Sequence, residues 1–190
     1  MKTAICLFGV NGVGKSSVLS SFRMLHPDTV VLHGSSILKE FLGVASYKEL
    51  ESKSARDKKL AYIQGLKSAL RSVTSGTVIV DTHLVVTIWG AEGRHLEDMW
   101  DEALKDIFDG FVYMTSSPAI VSERRERDLA SNSRVRQCDE LCCRSDLADN
   151  DSRWDTVSAQ CQKACVIVND TALELATKKL LDFVHQLQHK

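Results

Sequence analysis

The sequence predicts an α/β fold, a parallel sheet with helices on both faces. Three observations carry that expectation. Five short runs are apolar at nearly every position: Thr3–Phe8, Thr29–His33, Thr77–Val80, Gly110–Met114 and Ala164–Val168. Strands buried on both faces read this way, whereas a half-exposed antiparallel strand alternates apolar with polar. Between these runs lie stretches with helical spacing, so strand and helix alternate along the chain. There are only two prolines, Pro27 and Pro118, and no repeat or low-complexity tract. The 190 residues therefore read as a single domain, 1–190.

The elements follow in order. Strand one, Thr3–Phe8, leads into a helix over Lys15–Leu25 whose apolar face is Val18, Leu19, Phe22 and Leu25. Strand two is followed by helices over 35–43 and 47–74, the second carrying Leu50, Leu60, Ile63, Leu66, Leu70 and Val73 at helix spacing. Strand three ends in Asp81, and a further apolar stretch, Leu84–Trp89, comes after it. A helix over Arg94–Phe108 is expected before strand four. Pro118 opens a helix over 118–128, a position where its missing N–H costs nothing. A long charged helix is expected within 137–163. Thr171–Gln188 closes the chain, with Asp170 or Thr171 as N-cap.

Composition narrows the function classes. The chain is 44% hydrophobic and 26% charged, with a net charge of −1. It can bury roughly 70% of its unfolded surface, so it needs no staples. Near-neutral charge argues against stable nucleic-acid binding, while leaving room for a local basic pocket for small anions. No run reaches the ~20 apolar residues of a membrane span. The apolar start runs into a phosphate-binding pattern, not a cleavage site, so the expected location is the cytoplasm, with the nucleus also open to it. Nothing in the sequence sets an oligomeric state. Five of the six cysteines lie between 138 and 165 without a CxxC pair, so free thiols are expected ahead of a zinc site.

Directly after strand one stands Gly9-Val-Asn-Gly-Val-Gly14-Lys15-Ser16, which is GxxxxGK[ST]. Glycines let successive backbone N–H groups curl around a phosphate without a Cβ in the way. The helix that follows points its free N–H groups at the same anion. Gly9, Asn11, Gly12, Val13, Gly14, Lys15, Ser16 and Ser17 are thus the expected ATP-binding residues. Lys15 would reach the β- and γ-phosphates, and the Ser16 hydroxyl would bind Mg²⁺. A buried strand before the motif and an apolar helix after it supply the right context. The fold is accordingly expected to be the three-layer P-loop nucleoside-triphosphate hydrolase fold.

Two further groups point the same way. Asp81 ends an apolar strand, where a carboxylate sits near the bound Mg²⁺ in phosphate-loop folds; its bland role would be to cap the next loop. His83 either contacts an acceptor or satisfies its own loop. Arg124, Arg125, Arg127, Arg134 and Arg136 fall within 13 residues, split by Ser131-Asn132-Ser133. Forked donors on both sides of a polar break suit a lid over phosphoryl oxygens. Arg127, Arg134 and Arg136 are the expected catalytic members, Arg124 less so, and the rest form solvated ion pairs.

Together these residues resemble the nucleoside monophosphate kinase family, most nearly its archaeal-type adenylate kinases. Four segments carry the resemblance: Gly9–Ser16, Val78–His83, Arg124–Asp128 with Ser133–Arg136, and Val168–Asp170. It implies a five-stranded parallel sheet in the order 2-3-1-4-5, a monophosphate-binding segment at about 34–75, and a short lid at about 129–137. It places Asn169 and Asp170 near the adenine, and Gly34 and Ser35 in the small-residue turn of the acceptor site. Arg56, the single arginine of 34–70, becomes the candidate for the acceptor phosphate. Asn11 stands where the family's loop commonly has proline. The implied activity moves the γ-phosphoryl of MgATP to a small nucleotide substrate, AMP or a related monophosphate. Two other readings stay open. One is a kinase of the same fold acting on an alcohol, with Asp81 as base. The other is an ATPase switch or assembly factor that docks a partner on 137–163.

Overall fold

In a computed structural model, residues 2–90, 93–129 and 138–188 are described. β1 (Lys2–Phe8) runs through the middle of a five-stranded parallel sheet. Its neighbours give the order β2 (Val30–His33), β3 (Gly76–Asp81), β1, β6 (Gly110–Thr115), β7 (Ala164–Val168). Counted alone, these are the five expected strands in the expected sequence of neighbours. The numbering differs because two more strands, β4 (Val85–Gly90) and β5 (Gly93–Asp98), form a separate antiparallel pair.

The apolar runs explain the sheet. Alternate residues of β1 point to opposite faces, and both faces are covered. Ala4, Cys6 and Phe8 join a cluster with Tyr62, Leu66, Trp100, Phe111 and Trp154. Ile5 and Leu7 join Val18, Phe22, Leu180 and Val184. α1 (Lys15–Leu25) and α7 (Leu173–Gln188) cover this second face. α2 (Gly34–Leu42), α4 (Ala55–Arg71) and the C-terminal half of α6 (Glu140–Ser158) cover the first.

Four expectations are corrected. The segment 47–74 is two helices, α3 (Tyr47–Glu51) and α4. Each has its own serine cap: Ser46 accepts from the Glu49 N–H and Ser54 from the Asp57 N–H. A Ser three residues before an acid is a start signal, and it appears twice here. Secondly, no helix spans Arg94–Phe108. Its first residues are β5, and only Glu102–Asp106 coils, as one 3-10 turn. The β-branched run of β4 needs an edge partner, and β5 supplies one, with Gly93 (φ 102°) opposite Gly90. Thirdly, the closing helix begins at Leu173, and Asp170 does not cap it. Asp170 accepts instead from the Ser116 hydroxyl and the Ser117 N–H. Lastly, within 137–163, the stretch that the alternative docking reading would use, Trp154 is buried and stacked on Tyr113 at 5.4 Å between ring centroids.

α5 (Pro118–Leu129) leads toward 130–137, so all of the expected lid except Leu129 lies outside the described residues. The β4–β5 hairpin is fixed to α6 by Asn150, whose amide side chain accepts from the Val85 N–H (3.1 Å) and donates to the Val85 carbonyl (3.3 Å). The six cysteines are free thiols. Among the described residues, no helix is long and apolar enough to cross a membrane.

Candidate active site

β1, β2 and β3 end side by side, and the loop 9–14 turns back over their carboxyl ends, the usual crevice of an open α/β sheet. Three glycines make the turn. Gly9, Gly12 and Gly14 all have positive φ, at 154°, 93° and 92°. Two of them are also crowded. A Cβ on Gly9 would lie 2.5 Å from the Met114 carbonyl oxygen, and one on Gly14 would lie 2.4 Å from the Asn169 amide nitrogen. Only glycine meets both conditions.

α1 starts at Lys15 with no side chain capping its first turn, which leaves N–H groups facing the loop. Ser16 and Ser17 are exposed at that turn. Lys15 is buried, a costly place for an ammonium without partners. Its Nζ donates to the Gly9 carbonyl and lies 3.6 Å from Asp81 Oδ1. The second Asp81 oxygen is 3.4 Å from His33 Nδ1, across the β2–β3 register. Asp81 thus bridges the phosphate loop to the end of β2. Sequence reading had singled out Lys15 and Asp81 but not His33, whose register partner is visible only once the sheet is formed.

The arginines divide differently from expectation. Arg127 is 68% exposed at its side chain and pairs with Glu123 on its own helix at 3.3 Å. Arg124 and Arg125 are the ones brought to the loop. Arg124 donates to the Val13 carbonyl (3.0 Å) and to the Asn169 carbonyl (2.9 Å). Arg125 donates from Nε to the Asn11 carbonyl (3.0 Å). Helix phase is the reason. Val121 is buried on α5, and residues three and four further on share its face, whereas residue 127 does not. That signal was present in the sequence. Burial lowers the Arg124 guanidinium from its ordinary value, yet a guanidinium stays charged. Arg134 and Arg136 lie outside the described residues.

Asn169 is buried against the loop, its amide donating to the Val13 carbonyl at 2.8 Å. With Asp170 held by Ser116 and Ser117, the β7–α7 connection is fastened to the phosphate loop and to the end of β6.

On the other side of the crevice, Gly34 opens α2 hard against Thr82, where a Cβ would meet the hydroxyl at 2.8 Å. The Ser35 hydroxyl is 3.2 Å from the Tyr47 hydroxyl at the exposed rim. His83 is half-buried just past β3, and Arg56 is exposed in the first turn of α4. The buried cation of that helix is Lys58, ion-paired with Glu97 of β5. This pair went unseen in the sequence because its partners are 39 residues apart.

The fold has solved counterparts. A shikimate kinase from Acinetobacter baumannii, in complex with shikimate, aligns with a TM-score of 0.65 at 17% identity, covering 100% of this chain and 97% of that one. A shikimate kinase from Bacteroides thetaiotaomicron gives 0.63 at 12%, covering 96% and 98%. A gluconokinase from Sinorhizobium meliloti gives 0.59 at 14%, covering 98% and 94%. No protein-family model matches the sequence, and no curated protein matches it. These likenesses show the fold alone, and the narrower resemblance to archaeal-type adenylate kinases rests on the sequence motifs. The chain has the fold of the P-loop kinases.

Proposed function

We propose that this protein is a phosphotransferase that moves the γ-phosphoryl group of MgATP to a small-molecule acceptor. The observation that carries the reading is the glycine-built loop with buried Lys15 at its mouth and Asp81 3.6 Å away, at the carboxyl end of a parallel sheet. Backbone N–H groups of 9–16 would hold the triphosphate, and Lys15 would neutralise the oxygens that gain charge in transfer. Ser16 and Asp81 would hold Mg²⁺. One hydroxyl and one carboxylate beside phosphate oxygens are the hard, sparse donor set that ion takes. Bound there, it would supply charge neutralisation across the phosphates.

For the acceptor, the sequence motifs favour a nucleoside monophosphate, AMP or a relative, seated between α2, α4 and the end of β3. Such an acceptor is already anionic, so alignment and charge neutralisation suffice. Arg56 would meet its phosphate, and Arg134 and Arg136 would close over the transferring group.

A second reading, a hydroxyl acceptor, has its own support. The solved counterparts are a shikimate kinase in complex with shikimate and a gluconokinase. Asp81, held between Lys15 and His33, would then take the hydroxyl proton. An ADP-release assay over a panel of monophosphates and hydroxy acids tests both. ADP formed only with a monophosphate supports the first reading, and ADP formed only with a hydroxy acid supports the second. Slow hydrolysis that ignores every acceptor contradicts the phosphotransferase itself.

A further inference from the structure

We propose that Arg125 is a positioning residue of the nucleotide site, and that Asp146 on α6 and the β4–β5 hairpin hold it in place. The inference rests on the reading that the loop 9–16 binds a nucleotide.

Arg125 is 4% exposed, although it sits in the second half of a helix whose next arginine, Arg127, faces solvent. A buried guanidinium needs a charge partner and a use for its remaining donors. The charge partner is Asp146, itself 8% exposed, which accepts from Nη1 at 2.9 Å. A second donor serves the loop: Nε donates to the Asn11 carbonyl. The stem serves it too, since a Cβ on Gly12 would meet Arg125 Cγ at 3.1 Å. Arg125 is therefore the floor under Gly12 and the anchor of the carbonyl before it. Turning that carbonyl toward Arg125 points the N–H of the same peptide, that of Gly12, the opposite way, the orientation that anion binding by the loop would use.

Asp146 is not held by α6 alone. Its other oxygen accepts from the Thr87 hydroxyl of β4 at 2.8 Å and lies 3.6 Å from Arg94 Nη2 of β5. Arg94 is in turn paired with Asp149. The hairpin reaches the acceptor side through Glu97 and Lys58. A line of buried and half-buried charges thus runs from α4, through β5 and Asp146, to the backbone of the phosphate loop.

Nucleotide binding tests this without any knowledge of the acceptor. The affinity of a fluorescent ATP analogue with Mg²⁺ is measured for the wild-type protein, Arg125→Met, Asp146→Asn and the double variant, each at a temperature where the protein is folded. Arg144→Met, which removes an exposed pair on α6, is the reference. The expected result is affinity at least tenfold weaker in Arg125→Met and at least threefold weaker in Asp146→Asn. The double variant should bind no more weakly than Arg125→Met, because Asp146 acts through Arg125. A side chain that only braces the fold would lower the melting temperature and leave the affinity of the folded protein unchanged. Less than a threefold change in Arg125→Met overturns the inference. Should that variant not fold, Asp146→Asn carries the same threefold criterion. Failure of the wild-type protein to bind at all overturns the nucleotide reading instead, and the inference with it.

Discussion

At the scale of the residue, the phosphate loop is defined by what its backbone must do. Gly14 combines φ of 92° with a neighbour, the Asn169 amide, where a Cβ would stand. Gly14→Ala should lower stability by about 1–3 kcal/mol, read as the shift in a urea midpoint, and should also weaken nucleotide binding. On the proposed reading Lys15 acts on charge that develops in transfer, so its loss should cost rate more than affinity. Lys15→Ala is expected to reduce turnover by roughly 10²–10³-fold or more, with a smaller change in the dissociation constant for MgATP. Comparing kcat with calorimetric affinity separates the two. Most of this was legible in the sequence, because a GxxxxGK[ST] loop after a buried strand is local. Arg124 and Arg125 were not chosen over Arg127. Their role follows from the face of α5 that Val121 buries, and from carbonyls of Asn11 and Val13 that lie over 100 residues away.

At the scale of the element, the β4–β5 hairpin is the part that sequence reading missed. Leu84–Trp89 reads as apolar, but nothing local says that 93–98, with one aliphatic residue, Leu96, is its partner. Polar anchors supply the answer: Asn150 on Val85, Asp146 on Thr87, and Lys58 on Glu97. The last pair is buried on both sides, which sets its mutational behaviour. Lys58→Met should destabilise by about 3–5 kcal/mol, because Glu97 is left charged and buried. Adding Glu97→Leu should recover most of that loss, as chemical denaturation of the three variants would show.

The start of α6 depends on pH. Asp139 accepts from the Cys142 N–H at 2.8 Å, and the Cys142 thiol, together with that N–H, holds its carboxyl below the ordinary carboxylate value. A lowered folded-state value means that the contribution is complete above the unfolded value of ~3.9 and is lost as pH falls through the folded one. The stability deficit of Asp139→Ala against wild type should therefore be present at neutral pH and shrink in acid. The ends of α1, α2, α5 and α7 were readable to within a few residues. Ser54 was the exception, overlooked inside a stretch whose apolar spacing ran on past it, whereas the start at Tyr47 that Ser46 caps matched.

At the scale of the whole molecule, one parallel sheet does two jobs. Its doubly apolar strands bury a core on each face, and its carboxyl edge collects Lys15, Asp81 and His33 from elements far apart in the chain. The strand pattern was legible because each run is continuous and short. The proposed acceptor side was not, because its residues on α2, α4 and the hairpin carry no spacing of their own. The central claim is that the loop 9–16 grips a triphosphate with magnesium. Isothermal titration with Mg²⁺ and a non-hydrolysable ATP analogue tests it most directly. The account predicts a saturable one-to-one binding heat that is weakened in Gly14→Ala. The absence of any binding heat in the folded wild-type protein would contradict it.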